Sequence, residues 1–233
     1  MQINHNHADY SPMQQLKTLE INVENPRYCV IWLHGLGADG HDFEPIVAEL
    51  NFKNKNKTRF VFPHAPSIPV TINNGMVMPA WYDIVAPRID AKQDEKGIRY
   101  SSKQIIQLIE LEMANGIESK NILLAGFSQG GAIVLHTGLR FNKSLAGIMA
   151  LSTYLPLDTH VSNEVNNANK KIPIFYAHGS NDPVVPITLA EMSKDFLTNL
   201  SYKVDWHLYS MEHSVIPQEI DDISDWLEKT LVN

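Results

Sequence analysis

Residues 122–141 are ILLAGFSQGGAIVLHTGLRF, and this stretch decides the fold. It begins with an apolar run typical of a strand covered on both faces, and it ends with a pattern typical of a helix. Between the two, GFSQG at 126–130 matches G-x-S-x-G, the motif of a nucleophilic serine on a sharp strand-to-helix turn. Gly126 and Gly130 leave room for such a turn. We therefore predict Ser128 as a nucleophile, with an ordinary glycine-rich turn as the alternative.

The rest of the chain alternates short apolar runs with helical patterns, which favours a mostly parallel sheet with helices on both faces. Strands are predicted at 28–33, 59–62, 121–127, 146–151, 172–177 and 203–209. Helices are predicted at 43–50, 101–115, 129–141, 188–200 and 217–232. Ser101 and Gln104 have the spacing of a capping box, and Gly116 stands where the same helix should end.

Two segments depart from this alternation. Residues 63–97 contain neither a long helix nor a clean strand, and connections of this length are usually functional. We expect them to form a loop region on the substrate side. Residues 1–20 are expected to be a peripheral N-terminal segment of one α/β domain that spans residues 1–233.

A serine hydroxyl needs a base, and the base needs a carboxylate to orient it. In the chain order Ser, acid, His, the acid is predicted to be Asp182, in the loop after the strand at 172–177. The base is predicted to be His213, between the last strand and the last helix. Asp182 could instead only open a turn before Pro183. The less well-placed candidates are Asp158, Asp195, Asp205, His207 and His178, the last of which is expected to support the acid loop.

The loop LHGLGADG at 33–40 follows the first apolar strand. An N–H group of such an early loop can join the N–H after the nucleophile in stabilising an oxyanion. We assign these two donors to Leu36 and Gln129. A nucleotide-binding loop is a weaker interpretation, because Asp39 would lie beside the phosphate. A plain structural turn is the remaining alternative.

The charge balance and the cysteine count argue against a nucleic-acid-binding protein and against a disulfide-bonded one. Lys and Arg number 19 against 26 Asp and Glu, and this net charge of −7 disfavours nucleic acid as a partner. We expect no cofactor and no metal, and interpret His5 and His7 as part of a solvated tail. The single cysteine, Cys29, cannot form an intrachain disulfide, which favours a reducing compartment. With no pattern of a secretory leader, we predict a cytoplasmic protein.

Six motifs together resemble the acyl-protein thioesterase / carboxylesterase (phospholipase) family. They are LHGLGADG, FPHAPSIPVTINNGMVMPAWYDI, GFSQGGAIVLHTGL, LSTYLPL, HGSNDPVVP and HSVIPQEI, in family order from about Tyr28 onward. The resemblance implies an α/β-hydrolase fold without a large cap, and a serine hydrolase acting on carboxylic esters, lysophospholipids or S-acyl thioesters. It also implies the triad Ser128, Asp182 and His213.

The resemblance further implies which residues border the acyl channel: Ile72, Met76, Trp81 and Leu155. Simple core packing is the alternative for Met76 and Trp81. The chain has Thr153 and Tyr154 where many members from eukaryotes have Cys and Trp, which leaves the preferred acyl length open.

The expected partners are an acyl ester or thioester, carried by a lipid or an S-acylated protein, and a second copy in a homodimer. The apolar residues 70–85 also suggest transient contact with a membrane surface. One alternative is a hydrolase of peptides or lactones. The other is a catalytically silent α/β-hydrolase fold that binds a hydrophobic ligand.

Overall fold

The computed structural model describes residues 15–85 and 93–232. The strands in these ranges are β1 Thr18–Ile21, β2 Tyr28–Leu33, β3 Thr58–Pro63, β4 Ser67–Val70, β5 Met76–Pro79, β6 Ile122–Phe127, β7 Gly147–Leu151, β8 Ile174–Gly179 and β9 Val204–Tyr209. The helices are α1 Ile46–Glu49, α2 Glu95–Ala114, α3 Gln129–Arg140, α4 Asp158–Glu164, α5 Ile187–Asn199 and α6 Pro217–Thr230. No helix in the described ranges is both long enough and apolar enough to cross a membrane.

Seven strands form the main sheet, in the order β1-β3-β2-β6-β7-β8-β9. All neighbouring pairs are parallel except β1 and β3, which are antiparallel. Every residue of β2, β7 and β8 is buried, as expected of strands covered on both faces. The predicted α/β-hydrolase fold, with a mostly parallel sheet and no large cap, is confirmed.

The core lies in two layers, one on each face of the sheet. Ile31 and Leu33 of β2 belong to one layer, with α2, α3 and α5. Val30 and Trp32 belong to the other, with α1 and α6. Successive side chains of a strand point to opposite faces, so one apolar run supplies both layers.

The second helix begins earlier than predicted. Its first residue is Glu95, and the Asp94 carboxylate caps it by accepting a hydrogen bond from Gly97 N at 3.0 Å. The predicted capping box is therefore wrong, because Ser101 lies inside the helix, where it is fully buried. At the other end, Gly116 follows Asn115 with a φ of 99°, a left-handed conformation that favours glycine.

The segment 63–97 contains two strands that the sequence analysis missed. β4 and β5 form an antiparallel hairpin, with Ile68 paired to Met78. Ile68 and Val70 point inward, whereas Ser67 and Pro69 are exposed. Residues 86–92 of this segment lie outside the described residues, as do residues 1–14. The edge strand β1, Thr18–Ile21, begins within the predicted peripheral segment 1–20 and ends one residue beyond it.

Candidate active site

Ser128 lies at the turn between β6 and α3. Its φ of 54° and ψ of −120° are rare for a residue with a side chain, and such strain is typical of functional sites. Neighbouring main chain and side chains hold it there. Ser128 N donates to Leu151 O at 2.8 Å, and Thr153 Oγ1 donates to Ser128 O at 2.7 Å. The conformation of the turn is thus imposed by β7 and the residues after it.

The turn also depends on the absence of two side chains. A Cβ atom on Gly126 would lie 2.4 Å from Gly130 O, and one on Gly130 would lie 2.5 Å from His34 O. Both distances are far shorter than a normal contact, and both obstacles are main-chain atoms. The sequence motif needs glycine at these positions because the backbones of β2, β6 and α3 meet there.

The structure brings Asp182 and His213 together. Asp182 Oδ2 lies 2.6 Å from His213 Nδ1. Asp182 Oδ1 accepts hydrogen bonds from the N–H groups of Val184 and Val185, at 2.8 and 2.9 Å. Asp182 is only 8% exposed, so these three protein groups, rather than solvent, hold its carboxylate.

The imidazole of His213 lies beside the turn that carries Ser128. Its ring centroid is 4.7 Å from that of Phe127, the residue before Ser128. The loops that carry acid and base are also joined by main-chain hydrogen bonds: Ser180 N donates to Tyr209 O, and Asn181 N donates to Met211 O. The positions of the two side chains are therefore coupled through the ends of β8 and β9.

His178 supports the acid loop, in agreement with its predicted position. Its Nε2 lies 2.9 Å from the carbonyl oxygen of Val185, so this nitrogen must carry the proton that it donates. Burial lowers the pKa of His178, which favours the neutral ring. A neutral donor at this point holds the loop without adding a positive charge behind Asp182.

The loop predicted to stabilise an oxyanion lies against Ser128. A Cβ atom on Gly35 would lie 3.4 Å from Ser128 Cβ, an ordinary contact. His34 holds this loop: Nδ1 donates to Gly35 O at 2.7 Å, and Nε2 accepts from Ala65 N at 3.1 Å. Burial lowers the pKa of His34, consistent with a neutral ring that donates on one side and accepts on the other.

The side chain of Gln129 has a role that the sequence analysis missed. Its Oε1 accepts a hydrogen bond from Trp81 N at 2.8 Å, and its Nε2 donates to Tyr82 O at 2.7 Å. Gln129 is 2% exposed, and a buried amide must find such partners. The sequence signal for this role is a glutamine directly before the apolar run GGAIVL at 130–135.

Trp81 is a supporting residue of this network. Its indole Nε1 donates to His34 O at 2.9 Å, and its carbonyl oxygen accepts a hydrogen bond from the Ser101 hydroxyl. The side chain is 1% exposed and packs in the core. This corrects the prediction that Trp81 borders the acyl channel, since its polar and apolar parts are both engaged inside the protein.

A cavity of about 420 Å³ opens at Ser128. Leu36 and Gln129 lie in its wall, as do two of the four residues predicted to border an acyl channel, Ile72 and Leu155. Met76 does not line it, and its side chain, at the start of β5, is 64% exposed. The other large apolar residues of the wall are Ile84, Val85, Val184, Val185, Leu189, Met192 and Phe196.

Metal-binding residues do not cluster in the described part of the chain: no group of three or more His, Cys, Asp or Glu could hold an ion there. His5 and His7 lie outside the described residues. Cys29 is buried in β2, and burial raises the pKa of its thiol.

Comparison with known proteins agrees with this geometry. A family model described as phospholipase/carboxylesterase matches residues 17–231. Acyl-protein thioesterase 1 of Cryptococcus neoformans is 38% identical, over 93% of this chain and 98% of that protein. Acyl-protein thioesterase 1 of Neurospora crassa is 42% identical, over 87% of this chain and 86% of that protein. The crystal structure of SOBER1 from Arabidopsis thaliana has a TM-score of 0.84 and 31% identity, over 88% of this chain and 100% of that chain. The chain therefore belongs to the phospholipase/carboxylesterase family of α/β hydrolases.

Proposed function

We propose that this protein is a serine hydrolase that cleaves carboxylic esters or S-acyl thioesters through an acyl-enzyme intermediate. Ser128 is the nucleophile, His213 the general base, and Asp182 the acid that orients it. The observation that carries the proposal is the 2.6 Å contact between His213 Nδ1 and Asp182 Oδ2, beside a strained serine. A serine turn alone would not indicate catalysis as strongly.

In the first step, His213 Nε2 takes the hydroxyl proton of Ser128 while Oγ attacks the substrate carbonyl. The proton on Nδ1 stays in the hydrogen bond to Asp182, whose charge stabilises the imidazolium. His213 then gives the proton to the departing thiolate or alkoxide, and the acyl group remains on Ser128. A water molecule repeats the sequence and releases the acid.

The oxyanion of each tetrahedral intermediate is stabilised by the main-chain N–H groups of Leu36 and Gln129. Gln129 is the first residue of α3, so its N–H has no partner within the helix. The positive end of the helix dipole reinforces the interaction. The hydrogen bonds of His34 and of the Gln129 side chain hold both donors in place before substrate binds, which is what this form of catalysis requires.

The cavity suits an acyl chain, because the wall around Ser128 is rich in large apolar side chains. We propose that Ile72 and Leu155 contact this chain. Since the relatives from Cryptococcus and Neurospora are named acyl-protein thioesterases, we propose an S-acylated protein as substrate. A lipid ester needs the same chemistry, so a panel of acyl thioesters, acyl esters, lysophospholipids, lactones and peptides tests the choice.

Labelling with a fluorophosphonate tests the nucleophile. The wild type should react at Ser128, and Ser128→Ala should neither react nor hydrolyse a p-nitrophenyl ester. Ser210→Ala alters an exposed serine that directly follows β9. It is the matched control and should behave like the wild type. A folded wild-type protein that resists the label would favour the alternative of a silent fold that binds a hydrophobic ligand.

We also propose transient contact with a membrane surface through the β4–β5 hairpin. Met76 and Val77 are 64% and 63% exposed, although both are apolar. Replacing both with aspartate should weaken co-sedimentation with liposomes without lowering the hydrolysis of a water-soluble ester. Equal sedimentation of wild type and variant would count against the hairpin.

The homodimer and the cytoplasmic location complete the proposal. The family resemblance supports the dimer, and sedimentation at micromolar concentrations tests it. A single, buried cysteine is compatible with a reducing compartment, and cell fractionation tests the location.

A further inference from the structure

Two tyrosine hydroxyls meet in the wall of the cavity at Ser128. The Oη atoms of Tyr82 and Tyr154 are 2.8 Å apart, and both residues line the cavity. Tyr82 is 2% exposed and Tyr154 is half-buried. Burial raises the pKa of both phenols, so both keep their protons at neutral pH. The pair is thus a neutral polar feature that contains two O–H groups.

The hydrogen bond between the two hydroxyls uses only one of their two protons. Each phenol has a single O–H to donate, and the one that accepts still has its own proton. Among the described residues, neither hydroxyl has another hydrogen-bond partner. The second O–H group therefore needs a hydrogen-bond acceptor that the described residues do not provide, and a ligand in the cavity can provide one.

The main chain next to Tyr82 is held tightly. Its carbonyl oxygen accepts from Gln129 Nε2 at 2.7 Å, and the following residue, Asp83, donates its N–H to Asp94 Oδ2 at 3.0 Å. The main chain from which the Tyr82 side chain extends is therefore fixed relative to Gln129 and α2.

Tyr154 is held from both sides in the same way. Thr153 Oγ1 donates to Ser128 O at 2.7 Å, and Leu155 N donates to Ser193 Oγ at 2.8 Å. The hydroxyl pair consequently has a defined position relative to the nucleophile, which is what a selective contact requires.

An aliphatic chain and an oxygen-bearing chain differ in what they offer this pair. An alkyl group that covers the hydroxyls removes water from the free O–H without replacing the hydrogen bond, and an unpaired buried donor is costly. An ether, keto or hydroxyl oxygen at the same depth would accept a hydrogen bond from this O–H group. The large apolar residues nearby, such as Ile72 and Leu155, contact the rest of either chain.

We propose that the Tyr82–Tyr154 pair is a specificity-determining site that favours acyl chains with a hydrogen-bond acceptor oxygen at one defined distance from the carbonyl. This inference rests on the proposed function, because it requires the acyl chain to occupy the cavity at Ser128. It adds a substrate class, oxygenated acyl groups, to that function.

The test uses p-nitrophenyl esters of equal chain length in which one methylene is replaced by an ether oxygen at successive positions. Each kcat/KM is divided by that of the all-carbon ester and corrected for the alkaline hydrolysis rates of the two esters. The wild type should show a maximum of about tenfold at one position, the value of one net hydrogen bond. In the double variant Y82F/Y154F this maximum should disappear. The single variants, each of which keeps one O–H, should retain part of it.

Tyr202→Phe is the control, because it removes a buried phenol hydroxyl that does not line this cavity. It should keep the wild-type maximum. A wild-type profile without a maximum would overturn the proposal, as would a maximum that persists in a folded, active Y82F/Y154F protein. Failure of the proposed function looks different: no ester of either series would then be hydrolysed, and the fluorophosphonate would not label Ser128.

Discussion

Gln129 holds the main chain of Trp81, a residue 48 positions away in the sequence, through a hydrogen bond of 2.8 Å from Trp81 N to Gln129 Oε1. The amide also donates to Tyr82 O. One side chain thus connects the residue after Ser128 to a segment that forms part of the wall of the cavity. The backbone N–H of Gln129 is the proposed oxyanion donor, whereas its side chain holds residues 81 and 82. A substitution of the side chain can therefore test the second role while the N–H remains.

Replacing Gln129 with alanine should therefore destabilise the protein although the backbone donor remains. Two buried main-chain groups would lose their partners, and we expect a loss of about 2–4 kcal/mol in the free energy of unfolding. Gln129→Glu keeps the size but places an acceptor opposite Tyr82 O, so it should also be destabilising. Urea denaturation measures both. A stability equal to wild type in both variants would mean that the hydrogen bonds do not hold this segment.

The indole N–H of Trp81 should stabilise the loop that carries Leu36. Trp81→Phe removes the 2.9 Å bond to His34 O while keeping an aromatic ring. We expect a loss of about 1–2 kcal/mol and a lower kcat, since His34 is part of the loop against Ser128. The same change at the half-buried Trp206, which contacts Tyr176, is the control. It should leave kcat within about twofold of wild type.

Asp182→Asn should abolish most of the activity while the fold is retained. Asparagine can still accept from Val184 N through its oxygen, but its amide would face His213 Nδ1, and the ring would need the other tautomer. A fall in kcat on the order of 10⁴ is expected from comparable triads. Asp195→Asn alters an exposed carboxylate beside Lys194 and should leave kcat unchanged. If Asp182→Asn kept more than a tenth of the wild-type kcat, Asp182 would not be the orienting acid.

Replacing two glycines near Ser128 with alanine should have different effects, one on stability and the other on activity. Gly130→Ala places a methyl group 2.5 Å from His34 O and 2.6 Å from Leu33 O, so we expect a loss of about 3 kcal/mol or more. Gly35→Ala meets only ordinary contacts at 3.4 Å and should keep the wild-type Tm. Its methyl group lies against Ser128, however, and should lower kcat/KM by roughly 10- to 100-fold. Thermal melts and ester kinetics on both variants distinguish these outcomes.

Glu219 should make stability depend on pH. Burial, opposed by the smaller effect of the Ile216 main chain, raises its pKa from 4.5 to about 8. The folded state then holds the proton more tightly than the unfolded state. The contribution of Glu219 to the free energy of unfolding is therefore complete below pH 4.5, and it is lost as the pH rises through about 8. Between these limits the wild type should lose about 5 kcal/mol relative to Glu219→Gln, which cannot ionise.

Urea titrations at pH 5 and pH 9 measure this difference. Glu110→Gln, which changes an exposed glutamate of α2, is the control and should follow the wild type at both pH values. Parallel stability curves for wild type and Glu219→Gln would show that Glu219 titrates normally in the folded protein.

Much of the candidate site could be predicted because its signals are local. The strand before Ser128, the helix after it and the glycines of the turn occupy one short stretch of sequence. Glycine is required there because neighbouring main-chain atoms leave no room for a Cβ atom. The chain order of Ser128, Asp182 and His213 follows from the positions of their strands, since the carboxyl ends of parallel strands meet at one edge of the sheet. The observed pairing of Asp182 with His213 agrees with that order.

The segment between β3 and α2 could not be predicted in the same way. β4 and β5 are four residues each and contain Pro69 and Pro79, so neither has a clean alternating pattern. The start of α2 depended on Asp94, whereas the sequence offered a capping-box spacing at Ser101. Short strands and helix starts are decided by contacts with distant residues, which no local pattern records.

The sequence by itself determined the strands β2, β3, β6, β7, β8 and β9 of the main sheet, the serine turn between β6 and α3, and the choice of Asp182 and His213 as candidate acid and base, because each follows from local spacing and from sheet topology. Only the tertiary structure decided that Trp81 is buried, that Met76 faces solvent, and that Tyr82 and Tyr154 share a hydrogen bond. Apolar and aromatic residues have the same local preference whether they line a cavity or fill a core. The difference is made by partners such as His34 and Gln129, which come from other parts of the chain.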